Sequence, residues 1–273
     1  MGEAEGNGRG NELAFEAYGL RIVVAASRPD LLHRVVEILP PGSRLVSPVG
    51  VQSRFEVTSD ERGNFVLHRN GEELSGTSST DVDLVLEMLD SQIRLYLGTR
   101  APETIFIHAG VVAHNGKAIV IPATSFAGKT TLVAALVKRG AEYYSDEFAV
   151  IARDGRVLPY AKPLSLRLRE GWTDQTDHPV ETIGGKAGEG PIPVGLIVAT
   201  IYKPGAKWNP KRLSSGAGAL QLLANAVPAQ ERPREVMDAI TKASSDAIVL
   251  EGDRGEADEV APLLLAELDR QQG

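Results

Sequence analysis

Gly128-Lys129-Thr130 have the types and the order needed to hold a polyphosphate. They close the stretch Ala123-Thr124-Ser125-Phe126-Ala127-Gly128-Lys129-Thr130. That stretch follows an apolar run, Lys117 to Ile121, and opens a segment of helical spacing, Thr130 to Arg139. A turn between a buried strand and a helix gathers backbone N–H groups at one point, and the helix dipole adds about half a positive charge there. Lys129 would supply a full charge for the β- and γ-phosphates, and the Thr130 hydroxyl a ligand for Mg²⁺. Ala123, Ser125, Phe126, Ala127, Gly128 and Thr131 complete the candidate nucleotide contacts. Two positions depart from the usual pattern. Ala123 stands at the first glycine and Phe126 where many such loops carry another, and alanine costs more than glycine wherever a positive φ is needed.

Sixteen residues past Thr130 come Asp146-Glu147, just ahead of the apolar run Phe148 to Ala152. Beside a phosphate loop, one carboxylate can hold Mg²⁺ and a second can accept the proton of an attacking hydroxyl. The expectation is that this pair lies on a strand neighbouring the cradle strand. Adjacent carboxylates on an extended backbone point in different directions, so the pair can divide these tasks. His108 closes the apolar run Ile105-Phe106-Ile107. It could either approach the acidic pair and tune it or end its strand through a backbone hydrogen bond. His33, His68, His114 and His178 have no partners at metal spacing and read as surface or structural residues. Lys162, Arg167 and Arg169 could clamp a phosphoryl group or form a solvated basic face. Lys203, Lys207, Lys211 and Arg212 surround Trp208 in a stretch that reads as a loop or a docking edge for substrate.

The elements that must position these residues fall into two regions. Residues 1–12 are rich in Gly, Glu and Asn and read as a flexible tail. Residues 13–100 read as a small α+β region. Strands are expected at Leu20 to Ala26, Arg54 to Thr58 and Asn64 to His68, with a hairpin turn at Asn70-Gly71. Helices are expected at Leu31 to Leu39 and Asp83 to Leu97. Residues 101–273 interleave strands and helices, which argues for an α/β layered fold. Its strands are Lys117 to Ile121, Glu142 to Ser145, Phe148 to Ala152, Leu196 to Tyr202 and Ala247 to Leu250. Its helices are Thr130 to Arg139, Ala217 to Ala226, Arg234 to Ala243 and Ala257 to Leu268. Asp174 to Pro193 reads as one long loop.

The bulk properties narrow the class. The net charge is -7 and no Lys/Arg-rich block occurs, which argues against a nucleic-acid partner. The absence of cysteine excludes disulfides, thiolate metal sites and a cysteine nucleophile. No apolar run approaches the ~20 residues of a membrane helix, and no charged-then-apolar leader opens the chain. A cytoplasmic protein is the expectation.

Taken together, His108-Ala109-Gly110, the cradle through Thr130-Thr131-Leu132, Lys138-Arg139-Gly140-Ala141 and Ser145-Asp146-Glu147 resemble the catalytic domain of the HPr kinase/phosphorylase family. Ala161-Lys162-Pro163-Leu164-Ser165-Leu166 looks like the segment that follows the acidic pair in its relatives. The resemblance implies a P-loop, HPr kinase-like catalytic domain that moves the γ-phosphoryl of ATP or GTP to a serine hydroxyl. Under it, Lys129 and Thr130 hold phosphates and Mg²⁺, Asp146 is the base, Glu147 helps hold the metal, and His108 sits against the base. Glu147 replaces an Asp of the family, and Leu168-Arg169-Glu170-Gly171 is only a faint echo of its Glu-Ile-Arg-Gly-Leu-Gly signature. Relatives without that signature are similar to kinases of peptide-modification clusters, including those acting on lasso-peptide precursors. The implied partner is therefore a peptide or small protein with an acceptor serine. Such proteins often assemble, so a homo-oligomer is also expected. The altered glycines leave a second reading open: a non-catalytic nucleotide- or anion-binding module.

Overall fold

The computed structural model describes residues 11–123, 128–167 and 175–270. It divides into two compact units, Met1–Pro102 and Glu103–Gly273.

The first unit is a six-stranded sheet with two helices. Its elements are β1 (Glu12–Ala17), β2 (Leu20–Ala26), α1 (Pro29–Glu37), β3 (Arg44–Leu45), β4 (Ser53–Ser59), β5 (Phe65–Arg69), β6 (Glu72–Glu73) and α2 (Val82–Arg100). The strand order is β3-β1-β2-β4-β5-β6. The expected tail lies outside the described residues up to residue 10, and Glu12 already pairs with Ala25 in β1. Alternation on β4 buries Phe55 and Val57 while Arg54 and Glu56 stay half-buried, the period-two pattern of a sheet with one covered face. Asp81 starts α2 by accepting the Asp83 N–H, and Val85, Leu89, Ile93 and Leu97 form its buried stripe.

The second unit carries the phosphate-loop candidate. Its strands are β7 (Thr104–His114), β8 (Lys117–Pro122), β9 (Glu142–Ser145), β10 (Phe148–Ala152), β11 (Val157–Leu158), β12 (Leu164–Arg167), β13 (Gln175–His178), β14 (Val194–Tyr202), β15 (Lys211–Leu213) and β16 (Ile248–Arg254). Its helices are α3 (Lys129–Val137), α4 (Ser215–Leu223), α5 (Pro233–Ser244) and α6 (Ala257–Asp269). The main sheet runs β11-β10-β7-β8-β14-β16-β15, with β9 also on β7. β8, β14 and β16 are mutually parallel, and the flanking strands are antiparallel.

Both faces of this sheet are covered, so the central strands are apolar throughout. Ile119 and Ile121 of β8 pack with Leu132, Leu136 and Leu264 of α3 and α6. Ala118 and Val120 turn to the opposite core, with Leu222, Val236 and Ile240 of α4 and α5. The result is an α/β sandwich of three layers. In α3 every residue from Leu132 to Val137 is buried, which suits a helix covered on all sides rather than an amphipathic one.

Three local expectations change. His108 does not end its strand: β7 runs on to His114, because Ala109 to Ala113 are apolar enough to stay buried between β8 and β9. The segment expected as one loop, Asp174 to Pro193, holds β13 and a 3₁₀ turn, Val180–Ile183; β13 pairs with β12. The basic stretch after Trp208 includes the edge strand β15.

Candidate functional site

The site is built where three neighbouring strands change role at one level of the sheet. β8 ends at Pro122 and hands the chain to the loop before α3. On the other side of β7 the extended chain turns between β9 and β10, at Asp146-Glu147. β7 lies between them. Ala109 faces Pro122 and Gly110 faces Ile121 on β8, while the Ala109 N–H donates to the Glu147 carbonyl at 3.1 Å. The acidic pair is therefore two strands from the cradle strand, not on its neighbour. An antiparallel β7 has been inserted between them, which local sequence spacing does not reveal.

Gly110 lets the two sides communicate. A Cβ there would lie 2.6 Å from Val133 Cγ2 and 3.0 Å from Lys129 Cγ. Without a side chain, α3 settles onto β7 and the Lys129 stem crosses the strand. Burial holds the Lys129 ammonium below the usual lysine range, and the charges of Asp146 and Glu147 partly restore it. Its Nζ also stands 3.5 Å from the Ala123 carbonyl.

Gly128 opens α3 with φ +74°, a left-handed conformation that a side chain would strain. Ala123 is not strained in this way: among the described non-glycine residues, positive φ is confined to Tyr18, Asn70 and Asn115. Substituting alanine for the loop's first glycine therefore costs no backbone strain. Ser125, Phe126 and Ala127, with Thr124, lie outside the described residues. Thr130 is half-buried and Thr131 exposed in the first turn of α3.

Asp146 is only 8% exposed, and Glu147 is half-buried. The turn that presents them is fixed by the Ser145 hydroxyl, which accepts from the Glu147 N–H at 3.0 Å and the Phe148 N–H at 2.9 Å. The Tyr143 hydroxyl lies 2.9 Å from Asp146 Oδ1 and 2.8 Å from the Lys162 carbonyl. Burial first, then the Asp146 charge, push that phenol far above its usual range, so it stays a donor. Tyr143 was not singled out from sequence, although it stands three residues before Asp146 on a strand. His108 is exposed; its ring lies 4.9 Å from the Phe148 ring, and its backbone N–H donates to the Asn225 carbonyl at 2.8 Å. It faces Phe148 across β7 and β10, one position past the acidic pair.

Arg254, at the end of β16, is a second residue that sequence reasoning missed. It is 2% exposed and donates to the Gly128 carbonyl at 2.7 Å. Nothing in the chain near it resembles a motif. Its position is legible only once β16 and β8 are known to be parallel on either side of β14, which brings their carboxyl ends together. Open α/β sheets bind ligands at that end.

The remaining candidates separate. Lys162 lies beside the site through its carbonyl, and Lys203 is tied to Asp253 at 2.6 Å. Arg169 is outside the described residues. His114 Nε2 lies 2.9 Å from Asp269, a surface pairing. Among the described residues no cluster of three His, Asp or Glu forms a preformed metal cage. Thr130 and Glu147 offer the hard oxygen donors that Mg²⁺ takes, one or two at a time, alongside phosphate oxygens. No helix among the described residues is long and apolar enough to cross a membrane.

No protein-family model matches the chain, and no curated protein matches it. Among solved structures it is similar to the HPr(Ser) kinase/phosphatase from Coxiella burnetii, with 13% identity and a TM-score of 0.33. That alignment covers 61% of this chain and 95% of that one. The α/β assignment rests on the sheet order and layers described above, and what the site does is inferred from its own residues.

Proposed function

We propose that this chain is a phosphotransferase that uses ATP or GTP with Mg²⁺ to phosphorylate a serine hydroxyl of a peptide or small protein, such as the precursor of a modified peptide. One observation carries the reading: the Lys129 ammonium, at the start of a helix opened by a left-handed glycine, is reached by the fields of Asp146 and Glu147 across Gly110. A half-buried cation at a strand-to-helix turn is what a polyphosphate needs, and two carboxylates beside it are what a metal and an acceptor hydroxyl need.

In this reading Lys129 and the first amides of α3 hold the β- and γ-phosphates. Thr130 and Glu147 are the residues that would hold Mg²⁺, which would supply positive charge against the phosphates. The serine oxygen forms a bond to the γ-phosphorus, the bond from that phosphorus to the bridging oxygen breaks, and the nucleoside diphosphate leaves. The serine proton passes to Asp146, whose carboxylate the Tyr143 hydroxyl helps to fix. His108 is a positioning residue that supports the acidic turn through Phe148. Most of the acceleration comes from alignment and charge neutralisation.

The test is incubation of the purified chain with γ-labelled ATP, Mg²⁺ and serine-containing peptides. Label on serine is the expected result. Measurable nucleotide affinity with neither transfer nor hydrolysis, after prolonged incubation across the peptide set, would select the non-catalytic binding module instead.

A further inference from the structure

Arg254 is a buried cation without a carboxylate contact among the described residues. Nη2 donates to the Gly128 carbonyl at 2.7 Å and Nη1 to the Gly255 carbonyl at 3.0 Å. Its Nε has no hydrogen-bond partner among the described residues. Its Cζ stands 5.4 Å from the centre of the Tyr202 ring, whose own hydroxyl donates to Glu256 at 2.8 Å. Burial lowers the pKa of Arg254 from its ordinary value, with Glu256 opposing from a distance.

Surrounding chain is shaped to keep it there. Gly255 allows the 203–210 segment to close over the end of β16: a Cβ at that position would lie 2.3 Å from the Ala206 carbonyl oxygen. The Lys203 N–H donates to the Arg254 carbonyl at 2.8 Å, and Lys203 Nζ pairs with Asp253. At Gly128 the fit is mutual, since a Cβ there would lie 2.5 Å from Arg254 Nη2. Burying an arginine is costly unless its charge is met. Here its hydrogen-bond acceptors are two backbone carbonyls, one of which belongs to the residue that opens α3.

We propose that Arg254 is a positioning residue of the phosphate cradle, locking Gly128 from the end of β16 and lending a buried positive charge, in addition to that of Lys129, for the polyphosphate of a nucleotide. The inference rests on the nucleotide-binding reading and deepens it. It makes affinity depend on the number of phosphates, because each added phosphate brings charge into the field of both cations. A latch that served only the fold would lower stability without changing that dependence.

The experiment measures affinities of the full chain for AMP, ADP and ATP with Mg²⁺ by calorimetry, alongside melting temperature. Wild type, Arg254→Gln and Arg254→Lys are compared. The gain in affinity from AMP to ATP should shrink by about tenfold or more in Arg254→Gln, as expected for a lost charge-assisted interaction. Arg254→Lys should keep most of the gain. An unchanged gain in a folded Arg254→Gln protein overturns the inference and leaves the nucleotide reading intact. Absence of nucleotide binding by wild type overturns both. If Arg254→Gln does not fold, Arg254→Met, of similar length and without charge, decides on the same terms: a gain shrunk about tenfold in a folded protein supports the charge role, and an unchanged gain overturns it.

Discussion

At the residue scale, the proposed function rests on Lys129, Asp146 and Gly110. Burial lowers the Lys129 pKa, so its charge is lost on the alkaline side at a lower pH than an exposed lysine loses its own. Nucleotide affinity should therefore fall as pH rises through the folded-state pKa, and an affinity profile flat through the lysine range contradicts this. The stability of the unliganded protein moves the other way. Between the lowered folded pKa and the ordinary lysine value the unfolded chain binds more protons, so stability rises with pH across that window. Denaturant midpoints on either side of it check the sign, with Lys129→Met as the variant that loses the rise. Asp146→Asn should keep nucleotide binding and lose about 10²- to 10⁴-fold in transfer, the usual contribution of a positioned base. Single-turnover transfer near the wild-type rate in that variant would remove Asp146 from its role. Gly110→Ala should cost about 1–3 kcal/mol, because its Cβ would meet Val133 and the Lys129 stem. It should also weaken nucleotide binding; loss of stability with unaltered affinity would show that the Lys129 path does not depend on Gly110.

At the scale of elements, α3 has two duties that pull its sequence apart. Under the proposed function its first turn must stay polar for the phosphate, while the turns after it are buried between the sheet and α6. Leu132 bridges them, fully buried one turn from Gly128, whose carbonyl accepts the Leu132 N–H at 3.2 Å. Leu132→Ala should destabilise the protein by about 2–5 kcal/mol, read from chemical denaturation. A cost under about 1 kcal/mol would mean that the helix is packed more loosely than its burial implies. The strand order explains why the acidic pair was legible as a pair and its placement was not. Asp146-Glu147 before an apolar run is a local pattern. That β9 and β10 share the same edge of β7, two strands from the cradle, follows from long-range pairing alone. The same holds for β7, whose run to His114 is set by burial on both faces.

At the scale of the whole molecule, each unit carries its own sheet, and the candidate site is built wholly from residues 103–273. A ligand that binds the folded state stabilises it by about 2.7 kcal/mol at a hundredfold its Kd. Saturation with Mg·ATP should therefore slow hydrogen exchange in the amides of β8, β14 and α3. Uniform exchange with and without nucleotide, at concentrations where calorimetry reports binding, would show that the bound nucleotide sits elsewhere.

The local pattern was determined by sequence: an apolar strand, then Gly-Lys-Thr at the start of a helix, because a strand-to-helix turn is a contiguous piece of backbone. So was the α/β class, because layer architecture follows from alternating periods of hydrophobicity. Only tertiary structure decided which distant side chains meet that turn. Tyr143 on the Asp146 carboxylate and Arg254 on the Gly128 carbonyl depend on strand order and on which parallel ends coincide. Those are properties of pairing between segments that lie far apart in the chain, and no spacing along it encodes them.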